Sequence, residues 1–240
     1  MKVALVTAST QGIGKSIGIE LLKNDYFVFF NYAHSDEAAV ALQQELINYK
    51  SKFCIIKADL STLDGMKELV GQVLSQKKML NVIVHNAALI CKTPFKDINE
   101  EEWNNSLNTN LSIPFFLTQY LSDYIEDNGR IIFIGAVMGL VPHAISIPYS
   151  VSKAGLTMLA KSLVKVFKNR YITVNVIAPG FIETPYQKTK AADHRQRIEN
   201  KIALGRFGKP EEIASTCIHI INNGYINGAV LQLDGGYDME

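Results

Sequence analysis

A tyrosine and a lysine four residues apart, in Tyr149-Ser150-Val151-Ser152-Lys153, form the pair in this chain best suited to moving a proton. On a helix, positions four apart share a face, so the phenol and the ammonium can point into one cleft. A free phenol, with a pKa near ~10, is a poor acid–base catalyst at neutral pH. A cation within ~4–6 Å favours the phenolate, and the pair can then shuttle a proton to or from a carbonyl oxygen. The spacing alone is unspecific, since any amphipathic helix can contain it. Its weight comes from its place, after one apolar run and before another.

A second constellation lies near the N-terminus, in Thr7-Ala8-Ser9-Thr10-Gln11-Gly12-Ile13-Gly14, between a strand-like run and a helical pattern. Gly12 and Gly14 remove side chains where backbone must approach a phosphate, and the following helix offers free N–H groups and a positive dipole end. Thr7, Ser9, Gln11 and Ile13 complete this candidate dinucleotide turn. The end of the second strand decides between nicotinamide cofactors, because an acid there bonds the ribose 2′-hydroxyl and repels a 2′-phosphate. Here it reads Asn31-Tyr32-Ala33-His34-Ser35, with no acid until Asp36 and no Arg or Lys to clamp a phosphate. Hydroxyl and imidazole groups can still accept one, so NADP(H) is favoured over NAD(H). Asp59, followed by Leu60, can accept from an adenine amino group or cap the next helix. Asn86 and Ala87 follow the fourth strand, where small residues let backbone approach the ribose.

The elements that must position these residues are legible as alternation. Short apolar runs at 3–7, 27–30, 53–56, 82–85, 131–134, 174–177 and 230–233 are separated by longer segments, with helices expected at 13–24 and 63–75 and an amphipathic stretch at 36–49. Continuous apolar strands belong in a sheet covered on both faces, and alternation with helices implies parallel pairing through right-handed crossovers. The expectation is one α/β domain over residues 1–240: a single-domain Rossmann fold, a doubly wound seven-stranded parallel sheet with its site beyond the carboxyl ends of the strands. A net charge of +1 gives little support for a nucleic-acid or anionic-membrane partner. Cys54, Cys91 and Cys217 lack metal-like spacing and read as thiols in a reducing compartment. With no signal-like start and no apolar run near ~18 residues, a cytoplasmic protein is expected.

Together these residues resemble the short-chain dehydrogenase/reductase family over essentially the whole chain. The family's Thr-Gly-x-x-x-Gly-x-Gly corresponds to Thr7–Gly14, with Ala8 in place of the first glycine; its Asn-Asn-Ala-Gly appears as His85-Asn86-Ala87-Ala88; its Tyr-x-x-x-Lys is Tyr149 to Lys153. Its active-site Asn corresponds to Asn110, its Pro-Gly after the sixth strand to Pro179-Gly180, and its carboxamide-holding positions to Ile182 and Thr184. Gly205–Glu212 and Asp234-Gly235-Gly236 also match. The chain looks most like 3-oxoacyl-carrier-protein reductases, which implies reduction of a carbonyl in fatty acid biosynthesis and a homotetramer or homodimer paired through segments 111–125 and 149–168. The resemblance further implies that Lys153 bonds the nicotinamide ribose and that Asn110 orders a water reaching Lys153.

One position departs. The family carries a catalytic Ser 13 residues before the Tyr, and here that residue is Ala136. Losing one donor to a developing oxyanion typically costs ~10²–10³ in rate. Two readings follow: a working reductase in which another group, with Ser146 or His143 as candidates, takes the place of the Ser; or a nucleotide-binding protein with a silenced site, acting as sensor or scaffold. An epimerase or dehydratase relative is disfavoured by length and by the C-terminal motifs. Apolar loops 91–98 and 137–148 suit an acyl thioester or another hydrophobic carbonyl compound, and the basic segment 184–204 suits a lid. For a carrier-protein substrate, Arg170 and that lid are the available cations, while Asp127 stands where such reductases often have basic residues.

Overall fold

The computed structural model describes residues 1–77 and 79–237. Among them, strand and helix alternate as expected. β1 (Val3–Val6) leads to α1 (Gly12–Lys23), β2 (Phe27–Tyr32) to α2 (Asp36–Glu45), β3 (Phe53–Lys57) to α3 (Leu63–Gln76), and β4 (Leu80–His85) to α4 (Glu100–Leu107) and α5 (Ile113–Leu121). β5 (Ile125–Ile134) leads to α6 (Ile147–Val166), and β6 (Thr173–Pro179) to α7 (Pro185–Lys188), α8 (Ala192–Glu199) and α9 (Pro210–Asn222). β7 (Val230–Leu233) follows.

The seven strands form one parallel sheet in the order β3-β2-β1-β4-β5-β6-β7. β1 shows why the central strands run apolar. Val3 and Leu5 join the apolar cluster under α3, α5 and α6, while Ala4 and Val6 join the one under α1 and α9. A strand covered on both faces has no wet side on which to place a polar residue. The direction of winding reverses between β1 and β4, which opens a crevice at their carboxyl ends.

Two elements differ from the sequence expectation. β5 begins at Ile125 rather than 131, because Leu80 pairs with Ile125 before a register shift past the polar stretch Glu126–Arg130. Residues 36–49 divide into α2 and a separate 3₁₀ turn at Ile47–Tyr49. Between α4 and α5 the chain makes a π turn, Asn108–Ser112. No helix of the described residues is long and apolar enough to cross a membrane.

Candidate active site

The carboxyl ends of the central strands open into a cleft of about 500 Å³. Gln11, Gly12 and Ile13 line it from the turn after β1, Asn86 from the end of β4, Tyr149 and Lys153 from α6, and Pro179, Gly180, Ile182 and Thr184 from the segment after β6. Residues far apart in the chain thus meet in one site.

The turn after β1 is built by inward-facing side chains. The Thr7 hydroxyl accepts from the backbone N–H groups of Asn86 (2.8 Å) and Ala87 (3.0 Å). Asn86 returns its amide to the carbonyls of Thr7 (3.1 Å) and Ala8 (2.8 Å), tying β1 to β4. Gly14 is required by this knot, since a Cβ there would stand 2.5 Å from the Asn86 Nδ2 and 2.6 Å from the Ala8 oxygen. Gly12 and Ala8 both take left-handed backbone, at φ 58° and 47°. Gly12 bears this freely, and Ala8 does so under strain. Gln11 provides no side-chain cap to α1, so the first N–H groups of a 12-residue helix open beside the cleft. An uncapped helix start bordered by glycine fits a dinucleotide's phosphates.

The side chains of several expected nucleotide contacts are engaged within the protein. Ser9 and Asn31 are buried: the Ser9 hydroxyl donates to the Val6 carbonyl (2.7 Å) and accepts from the Asn31 N–H (3.0 Å). The Asn31 side chain accepts from Ala8 N–H and donates to the Ala58 carbonyl (2.9 Å). Leu60 packs into the core and Ala87 against it, so both offer a nucleotide backbone only. Asp59 accepts from Ser61 N–H (2.9 Å), while the cap of α3 is Thr62. At the ribose end, His34 is exposed with its Nε2 3.7 Å from Asp59, Ser35 is exposed, and the Tyr32 hydroxyl donates to Asp36 (2.9 Å). A cation does reach this corner. Parallel pairing sets Lys57 beside Tyr32, and its ammonium lies 2.7 Å from Asp36. Sequence proximity hides Lys57, and strand order reveals it.

At the catalytic end, Tyr149 and Lys153 share one face of α6, with the Lys153 Nζ 5.5 Å from the Tyr149 ring centre. Gly139 lets the loop after β5 press onto this turn, as a Cβ there would meet the Lys153 carbonyl carbon at 2.8 Å. Lys153 is almost wholly buried and donates to the Ile134 carbonyl (2.7 Å). Burial pulls its pKa down from 10.5 to about 7. Burial also pushes the Tyr149 phenol above its ordinary value, and the nearby Tyr186 phenol adds to this. The cation expected to hold the phenol down is itself desolvated, so burial wins in the chain by itself.

Asn110 sits in the π turn. Its amide donates to the Leu89 carbonyl (2.8 Å), Ser106 (3.2 Å) and Ser152 (3.0 Å), and its oxygen accepts from Leu89 N–H (2.7 Å). The Ser152 hydroxyl donates to the Tyr149 carbonyl (2.6 Å). The Asn110 side chain is therefore fully engaged in holding the loop after β4 against the turn of α6 that carries Tyr149 and Lys153.

Ala136 lines the same cleft as Tyr149, with a methyl where a hydroxyl was expected. Neither proposed replacement lines the cleft. Ser146 is buried at the start of α6 in left-handed backbone, and the His143 ring bonds Ile145 of its own loop. The segment expected to serve as a lid contributes Tyr186 and Gln187 to the wall, neither of which its polar composition marks out. Of its cations, Arg195 pairs with Glu183 and Glu199, and Arg197 with Asp193. Arg170 does not face the cleft. It pairs with Asp127 (2.8 Å) and the carbonyls of Ser122 and Ile125 at the opposite end of the sheet.

A sequence model described as short chain dehydrogenase matches residues 2–195. The chain is 32% identical to a 3-oxoacyl-[acyl-carrier-protein] reductase of Staphylococcus aureus, covering 99% of this chain and 98% of that protein. It is 31% identical to the corresponding reductase of Thermotoga maritima, covering 98% and 97%. A short-chain dehydrogenase/reductase from Serratia marcescens superposes with a TM-score of 0.93 at 31% identity, covering 99% and 98%. A Burkholderia cenocepacia short chain dehydrogenase in complex with NADP superposes at 0.91 with 27% identity, covering 98% and 97%. On its motifs, fold and full-length likeness, the chain belongs to the short-chain dehydrogenase/reductase family of oxidoreductases.

Proposed function

We propose that the protein is an NADP-dependent reductase that converts a carbonyl to a hydroxyl, with Tyr149 as the proton donor. The observation that carries this is convergence: the uncapped start of α1 and the Tyr149–Lys153 pair open onto one cleft. Bound there, NADPH supplies the hydride, and the chain supplies the proton and the pocket. Gln11, Gly12, Ile13 and the N-terminus of α1 would hold the phosphates, and Pro179, Gly180, Ile182 and Thr184 the nicotinamide end. A raised phenol pKa keeps the Tyr149 Oη protonated at neutral pH, as a donor to a developing alkoxide requires. Lys153, near neutrality in its proton affinity, can return that proton and favour the phenolate once it is spent. Its remaining N–H groups, beyond the one on Ile134, are free to reach a ribose hydroxyl.

The preference for NADP over NAD draws support from His34, Ser35 and Lys57 at the ribose corner, and from relatives whose complexes hold NADP or NADPH. Leu89, Ile90, Val137, Met138 and Phe181 give the wall an apolar surface suited to a 3-oxoacyl thioester or another hydrophobic ketone. Exposed Phe115 and Tyr120 on α5, with Val151 and Met158 on α6, favour pairing with further copies of the chain. A second reading rests on Ala136, which leaves the oxyanion one donor short: nucleotide binding without turnover. Mixing protein, NADPH and an acetoacetyl thioester tests both. NADPH consumption that Tyr149→Phe abolishes, with nucleotide affinity kept, supports the reductase. Tight NADPH binding with no consumption across 3-oxoacyl thioesters and small ketones would overturn it in favour of the silent site.

A further inference from the structure

We infer that the mouth of the cleft is an anion site, in which Lys92 and Lys190, gathered on the ring of Tyr186, receive a carboxylate or phosphate that the substrate carries away from its reacting carbonyl. The inference rests on the reductase reading and adds a substrate class to it. Lys92 comes from the loop after β4 and Lys190 from the lid after α7, yet their ammonium nitrogens stand 4.5 Å and 5.7 Å from the same ring centre. That ring lines the cleft holding Tyr149 and Lys153. A tyrosine face orients ammonium groups without neutralising them.

The two cations are also unspent. Among the described residues, no carboxylate lies within ion-pair distance of Lys92 or Lys190, whereas both lid arginines are paired. The Lys190 ammonium is partly desolvated and is disfavoured both by that burial and by Lys92. Two like charges brought to one ring without a counter-charge disfavour each other, and an anion reaching both reverses the sign. The cofactor's own phosphates are the competing source of negative charge. They are served by the α1 start, however, while Lys92 lies on the loop that Leu89 and Ile90 carry along the substrate wall.

Calorimetry on the NADP⁺-loaded protein tests this. The ligands are linear oxo acids of increasing chain length, each against its methyl ester, and S-acetoacetyl phosphopantetheine against the dephosphorylated form. The unaltered protein should prefer at least one acid or phosphate over its neutral partner, and added salt should erode the preference. Lys92→Gln and Lys190→Gln should each remove about tenfold of that affinity, as expected of charge-assisted bonds at a partly exposed mouth, leaving neutral ligands and NADPH affinity unchanged. Equal affinity for charged and neutral members throughout would overturn the inference. So would variants that weaken NADPH while sparing the preference, since these assign the lysines to the cofactor. A charge preference without NADPH oxidation would leave the anion site standing and sink the reductase reading instead.

Discussion

Lys153→Met should make the protein more stable while removing its activity. The amine has an ordinary pKa of 10.5 and is held at about 7 in the fold by burial. At about 1.4 kcal/mol for each factor of ten in proton affinity, the fold gives up about 5 kcal/mol at neutral pH to keep this group inside. Methionine fills a similar volume without charge. It leaves the Ile134 carbonyl, now bonded at 2.7 Å, without its donor, which costs about 1–3 kcal/mol. The net gain is about 2–4 kcal/mol, or roughly 5–15 °C in Tm for a chain of this size. The sign with pH follows from proton counting. Between about 7 and 10.5 the unfolded chain holds a proton the folded one lacks, so wild-type stability from this group rises with pH. The penalty is fully present below about 7 and vanishes above 10.5, and the variant's advantage must shrink along that window. Thermal unfolding of both proteins without nucleotide, at about pH 7 and about pH 9, measures it. A variant less stable than wild type at neutral pH, or a difference that does not narrow at the higher pH, would refute a buried, desolvated Lys153.

Three further outcomes are expected. Ala136→Ser should raise kcat for a 3-oxoacyl thioester by about 100- to 1000-fold by restoring a donor to the cleft, and an unchanged rate in steady-state kinetics would show that this wall does not face the reacting oxygen. Ala8→Gly should relieve left-handed strain at φ 47° and, net of the added freedom of the unfolded chain, raise stability by about 0.5–1 kcal/mol; a lower denaturant midpoint counts against strain there. Gly14→Ala should drive a Cβ into the Asn86 amide, 2.5 Å away, and weaken NADPH binding at least about tenfold, which fluorescence titration reads directly.

The sheet and its winding were legible because the central strands, buried on both faces, leave a nearly continuous apolar signature that alternates with helical segments. β5 escaped at its start, since Glu126–Arg130 is polar and its pairing is interrupted by a register shift. Tyr149, Lys153 and the glycine turn were legible as motifs with a fixed place after a strand. Ser9 and Asn31 were read as contacts for a ligand, but polar residues at a strand end can equally bond the neighbouring backbone, and here they do. Lys57 and the Lys92–Tyr186–Lys190 cluster were hidden for the opposite reason, because only strand pairing and lid placement bring them together. Arg170 was offered as a cation available to a carrier protein, and it lies at the far end of the sheet because β6 begins just after it.

Three of the Asn110 hydrogen bonds link Leu89 to the helical turn bearing Lys153. Displacing the Leu89 backbone would strain Asn110 and, through Ser152, the turn from which Lys153 projects, so this side of the cleft is braced. Phe181, Pro185 and Tyr186 line the cleft from a segment outside the strands and lie outside this brace. On the reductase reading, side-chain exchange there would reshape the pocket while leaving the Tyr149–Lys153 alignment in place.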